Sequence, residues 1–275
     1  MKKLWILLLV PALLMLQGSA GAAEEKTGGV RLPIVMYHHL SPKPSLWGQY
    51  VLSTEEFAAD MEYLHAAGYE TVTVAQLVAW VNGEGELPEK PVMITFDDGY
   101  ESAAVYAGPV LEEYGFQAVI AVIGSCADLF TEKEDHMLDY SYLSWSAVRK
   151  LSHGGTFEIQ CHTYDMHKLN ARRGCAAMQG EGAESYRIAL RSDLGRFREK
   201  CASEDVALAN AIAFPFGAFG KDTVSIVKEL GFSAAFTCTE RVNILSGDPE
   251  DLYCLGRFNR PHGVDSETFF QKWEK

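Results

Sequence analysis

The sequence predicts one α/β domain built on a mostly parallel sheet or barrel of about seven strands. Three observations lead there. Short apolar runs, nearly uninterrupted, recur along the chain in the manner of strands buried on both faces. Segments with apolar residues at helical spacing alternate with them. The composition, 48% hydrophobic and 22% charged over 275 residues, is that of a globular protein, and no internal repeat or Pro/Ser-rich linker divides it.

The elements follow in order. Met1-Lys2-Lys3, an apolar or neutral run over 4–16 and small residues over 18–23 have the layout of a secretory signal. That run rises only about 20 Å as a helix, short of a ~30 Å hydrocarbon core, which makes a retained membrane anchor the weaker reading. The expected division is a signal peptide over 1–23 and one domain over 24–275, placed outside the cytoplasmic membrane, secreted or envelope-associated. The first strand is expected over 32–37. Ser53 and Glu56 form a capping-box pattern, followed by Phe57, Met61 and Leu64 at helical spacing, so a helix spans 54–67 and stops at Gly68. A short strand over 71–74, a helix over 75–81 and a loop over 82–85 come next, then a buried strand over 92–96.

The alternation continues with a helix over 103–113, a strand over 118–123, a helix over 144–151 and a strand over 157–161. A polar stretch over 171–181 leads into a helix over 183–200 with Tyr186, Leu190, Leu194 and Phe197 on one stripe. A strand over 212–214, a helix over 221–230, a strand over 233–237 and a helix over 266–273 complete the pattern.

Charge and cysteines narrow the class. Twenty-four Lys and Arg against 37 Asp and Glu leave a net charge of -13, which argues against nucleic acid or an anionic membrane as partner. Nothing marks a protein partner. In a secreted chain the six cysteines invite disulfides. Cys238 with Cys254 would staple a polar excursion, and Cys175 with Cys201 would clamp the insertion between them, while Cys126 and Cys161 read as small buried hydrophobes. No Cys-x-x-Cys occurs, so a zinc-thiolate site is poorly supported.

Chemistry in parallel α/β folds sits at the C-terminal ends of strands. Three such ends carry Asp or His: His38-His39, Asp97-Asp98-Gly99-Tyr100, and His162 to His167. Singly, an Asp-Asp-Gly is most often a turn and a strand-end histidine a satisfied polar residue; together they indicate a divalent metal site. Two His and one Asp fill three positions on an ion such as Zn²⁺, and the other of the two adjacent carboxylates is then available to take a proton from water.

These residues resemble a family. Leu32 to His38, Ile94-Thr95-Phe96-Asp97-Asp98-Gly99-Tyr100, the His162 to His167 segment and Phe214-Pro215-Phe216-Gly217 are similar to motifs of the secreted polysaccharide deacetylases, carbohydrate esterases with a NodB-type catalytic domain. The Tyr-His after strand one and the six-residue histidine span are shared with the branch acting on poly-N-acetylglucosamine. The resemblance implies a distorted, incomplete (β/α) barrel and hydrolytic removal of acetate from an N-acetylglucosamine-containing cell-wall or extracellular polymer. It implies Asp97 as general base and Asp98, His162 and His167 as ligands of a divalent ion, Zn²⁺ first and Co²⁺, Ni²⁺ or Fe²⁺ as alternatives. His38 and His262 are the two candidates for the catalytic acid.

Tyr100, Phe214, Pro215, Phe216 and Gly217 are expected to line the substrate groove, with Trp47, Tyr50 and the 135–142 insertion at its rim. Many family members carry an Arg two residues before the motif-three Pro to orient the base; here that residue is Ala213, and Arg257 is the candidate replacement. Asp165, inside the histidine loop, reads first as a turn cap and second as a partner for a ligand imidazole. A binding protein without turnover and an esterase acting on acetylated xylan are the competing readings.

Overall fold

The computed structural model describes residues 29–207 and 210–274; the export segment read over 1–23 lies outside them. In chain order the strands are Val30–Leu32 (β1), Ile34–Tyr37 (β2), His39–Ser41 (β3), Val51–Ser53 (β4), Glu70–Thr71 (β5), Pro91–Phe96 (β6), Ala118–Val122 (β7), Phe157–Cys161 (β8), Ala211–Ala213 (β9), Ala234–Phe236 (β10), Asn243–Leu245 (β11) and Phe258–Asn259 (β12). The helices are Thr54–Ala66 (α1), Val74–Val81 (α2), Gly108–Tyr114 (α3), Gly124–Lys133 (α4), Trp145–Ser152 (α5), Ala183–Ser203 (α6), Thr223–Glu229 (α7) and Ser266–Glu274 (α8).

Seven strands run parallel in the order β10-β9-β8-β7-β6-β2-β12, with β5 paired to the start of β6. The sheet curves into an open barrel with helices outside, as the sequence predicts. Its gap is spanned by one irregular segment: Leu255 bridges Phe236 of β10, and three residues later Phe258 pairs with Val35 of β2. This closing segment carries Arg257.

The strand period of two decides what faces inward. Val92, Ile94 and Phe96 of β6 and Phe157, Ile159 and Cys161 of β8 join the outer core under the helices, whereas Met93, Val119, Ala121, Ala211, Ala213 and Phe236 form the inner core. The same alternation aims Thr95 and Asp97, Gln160 and His162, and Met36 and His38 inward. At the lower end, Glu158 accepts the Val74 and Ala75 amides at 2.8 and 2.9 Å, fastening the first turn of α2 across the barrel floor.

Several expectations shift. Pro33 splits the first apolar run, so that Val30–Leu32 leaves the main sheet and pairs antiparallel with β11. The strand expected over 71–74 is replaced by the two-residue Glu70–Thr71, because Thr73 turns to cap α2 with a reciprocal Gln76 bond. The expected capping box of Ser53 and Glu56 is present on α1. Helix α4, the β3–β4 pair and β12 lack clear periodicity and were not read from the sequence.

Neither expected disulfide is present: all six cysteines are free. Register explains the first case. Phe236 faces Leu255 in parallel, so Cys238 lies two residues above that level and Cys254 one below, an offset of about 10 Å that exceeds disulfide reach. Cys175 and Cys201 are fully buried thiols in the outer core.

Candidate functional site

Three strand ends converge at the upper rim. His38 follows β2, Asp97 and Asp98 follow β6, and His162 follows β8. At Asp98 the backbone turns left-handed (φ 70°), then again at Gly99 (φ 80°), where a Cβ would lie 3.3 Å from Val122 Cα. This sharp double turn directs two adjacent carboxylates into one cavity instead of onto opposite faces.

Asp98, His162 and His167 bring one donor atom each within 4.8 Å of one another. Asp98 Oδ1 lies 3.4 Å from His162 Nε2 and 3.2 Å from His167 Nε2. It is buried and has no aligned hydrogen-bond donor. The Nδ1–H of His162 donates to the Ala213 carbonyl at 2.8 Å, since a carbonyl can only accept, which leaves Nε2 of the neutral ring as a lone pair facing a carboxylate oxygen. Two acceptors confront each other, an arrangement that calls for a cation between them. Burial works to raise the Asp98 carboxyl, and the approach of His162 and His167 outweighs it, holding the group far below the usual carboxylate range. Burial works to lower His162, and Asp97 and Asp98 outweigh it, raising the imidazole. A His₂Asp donor set fits a divalent transition metal and leaves positions open.

Asp97 points beside this set and is held from behind. Arg257 Nη1 donates to its Oδ1 at 2.6 Å and Nη2 to its Oδ2 at 2.7 Å, a bidentate pair completely buried on the arginine side. Arg257 is itself fixed by bonds from Nε to the Thr237 carbonyl at 3.0 Å and from Nη1 to Thr95 Oγ1 at 3.3 Å. Burial works to raise Asp97, but the Arg257 charge and then His162 hold it below its ordinary range, so it is ionised near neutrality. Arg257 thus reaches Asp97 from the closing segment and not from the strand that carries Ala213.

The cavity over these groups is about 800 Å³ and is lined by His38, His39, Tyr50, Tyr100, Tyr140, Tyr142 and Phe216 among others. His38 packs its ring against Tyr50 at 4.8 Å. Burial lowers its pKa more than Asp97 and Asp98 raise it, and its Nδ1 is buried without a partner. Tyr100 stacks on Tyr142 at 4.5 Å, tying the strand-end motif to the 135–142 insertion, which does form part of the rim.

Four expectations need correction. His262 does not line the cavity: its Nδ1 is 2.6 Å from Glu56 Oε2 and its ring rests on Trp47 at 4.7 Å, so the α1 N-terminus holds it away from the site. Trp47 goes with it, its indole N–H donated to the Ser41 carbonyl at 2.7 Å. Asp165 is exposed and pairs with Lys168 at 2.6 Å, not with a ligand imidazole. Of the third motif only Phe216 lines the groove. Phe214 and Pro215 are buried, and Gly217 (φ 61°) backs onto Cys238, which a Cβ would meet at 3.0 Å.

Comparison with known proteins gives consistent results. The sequence model of one family, Polysaccharide deacetylase, matches residues 84–235. The poly-beta-1,6-N-acetyl-D-glucosamine N-deacetylase of Escherichia coli (strain K12) is 28% identical over 202 residues, covering 66% of this chain and 30% of that protein. This chain therefore spans about a third of the length of that curated relative. A de-N-acetylase from Aggregatibacter actinomycetemcomitans has the same fold, with a TM-score of 0.71 at 23% identity over 88% of this chain and 98% of that one. IcaB from Ammonifex degensii superposes with a TM-score of 0.69 at 25% identity, covering 89% and 95% of the two chains.

Proposed function

Because the chain belongs to the polysaccharide deacetylase family, we propose that its domain, read over 24–275, is a zinc-dependent N-deacetylase of extracellular poly-N-acetylglucosamine. The protein is exported and works on the polymer outside the cytoplasmic membrane. The observation that carries this reading is the pairing of an acceptor-only His₂Asp set with an arginine-held carboxylate in one cavity. The name of the Escherichia coli relative supports the choice of polymer. Among the described residues no helix is long and apolar enough to cross a membrane.

In this reading Asp98, His162 and His167 hold the ion, Zn²⁺ before Co²⁺, Ni²⁺ or Fe²⁺. The bound cation supplies Lewis-acid chemistry, favouring deprotonation of water near neutral pH and drawing charge from the acetamido carbonyl. Asp97 accepts the water proton as its oxygen attacks the carbonyl carbon. Arg257 keeps that carboxylate ionised and fixes its angle. The C–N bond then breaks, acetate leaves, and the sugar nitrogen takes a proton. His38 is the group assigned to deliver it. Since burial favours the neutral ring, His38 serves first as a hydrogen-bond partner, then delivers a proton drawn from solvent, while Asp97 returns to solvent the proton it took from water. Phe216, Tyr100 and Tyr50 form the walls against which sugar rings pack.

The binding-only reading rested on the missing motif-three arginine, and Arg257 on Asp97 removes that motive. The test is acetate release from β-1,6-linked N-acetylglucosamine oligomers, chitooligosaccharides and acetylated xylan, with protein stripped of metal and reloaded with zinc. Zinc-restored release from the first substrate is expected. Release from xylan alone would establish the esterase instead, and silence on all three with zinc bound would overturn deacetylation.

A further inference from the structure

His162 and His167 are joined by a loop whose backbone is pinned by groups outside the ligand set. Thr163, buried and left-handed (φ 67°), starts a turn that a β-branched residue adopts only under constraint. From one side, the first residues of α4 donate: Gly124 N to the Thr163 carbonyl at 3.1 Å and Ser125 N to the Tyr164 carbonyl at 2.8 Å. From the other side comes a single residue of α6. Asp193 Oδ2 accepts the Tyr164 amide at 2.7 Å and Oδ1 accepts the Asp165 amide at 2.8 Å.

The Tyr164 ring is buried against Gly124 and its hydroxyl donates to Asp128, which anchors that side chain but leaves the Tyr164 and Asp165 amides to Asp193 alone. Behind the loop lies an open cavity of about 380 Å³ lined by Tyr164, Asp165, Met166, Lys168, Asp193 and Arg196. Without the carboxylate, two consecutive amides would face this space and the loop could relax into it. The Asp165 and Lys168 side chains pair with each other at the surface and provide no substitute anchor.

We propose that Asp193 is a positioning residue that holds the His162–His167 loop in its ligating shape in the metal-free protein, so that the ion meets a preformed site. The inference rests on the reading of Asp98, His162 and His167 as metal ligands. Asp193 touches neither ion nor substrate; it acts on the backbone between two ligands, through charge-assisted bonds stronger than neutral ones. Supporting groups of this kind typically alter metal affinity about 10–100-fold.

The experiment compares wild type, Asp193→Ala, Asp193→Asn and a surface control, Lys168→Ala. Zinc affinity is read by competition with a chromophoric chelator, and amide exchange of the 162–167 loop is followed in metal-free protein. Asp193→Ala is expected to weaken zinc about 10–100-fold and to accelerate loop exchange. Asp193→Asn, which keeps one acceptor, should fall between, and Lys168→Ala should match wild type. At saturating zinc the Asp193 variants should keep the wild-type KM, which separates lost metal from lost substrate binding. Wild-type zinc affinity with unchanged loop exchange in Asp193→Ala, or in Asp193→Asn should the first variant not fold, overturns the proposal. Failure of the wild type itself to bind zinc overturns the metal reading instead, and the exchange comparison still decides whether Asp193 holds the loop.

Discussion

Arg257 and Arg260 stand three residues apart on the closing segment, and each is buried against one aspartate. Arg260 turns outward to Asp60 of α1, whose two oxygens accept four bonds: Arg260 Nε at 2.8 Å, Arg260 Nη2 at 3.0 Å, Tyr37 Oη at 2.9 Å and Ser266 Oγ at 2.7 Å. Arg257 turns inward to Asp97, whose oxygens receive one close Arg257 bond each and otherwise face a cavity containing His38 and His162. The two pairs are chemically alike and differ in what remains unfilled. A carboxylate that has used its lone pairs on fixed donors ties α1 and α8 to the barrel. One with capacity to spare, beside a candidate cation site, is equipped to move a proton.

That contrast can be broken experimentally, beginning with the largest effect. Asp97→Asn should lower turnover by about 10²–10⁴-fold, the range of general-base catalysis, while retaining zinc. Asp60→Asn should leave turnover per folded molecule near wild type; equal loss in both would erase the distinction. His162→Ala and His167→Ala should lose zinc along with activity, measured by metal content after gel filtration, and zinc loss of the same size in Asp97→Asn would show that base and ligand have been interchanged. Arg257→Met should cost less turnover than Asp97→Asn, because the base survives but loses its orientation and charge partner.

Stability should invert the ranking. Asp60→Ala strands Arg260 in a fully buried site, and denaturant unfolding should show a loss of about 3–5 kcal/mol. The smallest effect concerns pH. Asp97 is held below its range, so its contribution is present above the unfolded pKa and lost as pH falls through the folded one. The stability gap between wild type and Asp97→Asn should therefore widen with rising pH, and a gap that narrows would contradict the Arg257 pairing.

Much of the site was legible because inward-facing positions follow the strand period. An apolar strand that ends on His38, Asp97 or His162 breaks its own pattern at the barrel mouth, and that break can be seen in the sequence. His167 and Asp98 were recoverable from motif spacing. What escaped was anything set by tertiary register. His262 lies near the site in sequence pattern alone, because its Glu56 partner comes from the other end of the chain. The Cys238–Cys254 bridge failed on a three-residue offset between parallel segments that no loop length discloses. The imidazole partner came from a backbone carbonyl, Ala213, which has no side-chain signature, whereas Asp165, the side chain weighed for that place, pairs with Lys168. Helix α4 begins Gly124-Ser125 without a side-chain cap, because its first amides serve the histidine loop.

The closing segment also imposes an order in time. In order of synthesis Asp98, His162 and His167 precede the residue that pairs with Asp97, which lies 160 positions beyond it. Until that segment threads between the two sheet edges, Asp97 has no buried counter-charge. A late-made part of the domain thus completes the Asp97 environment.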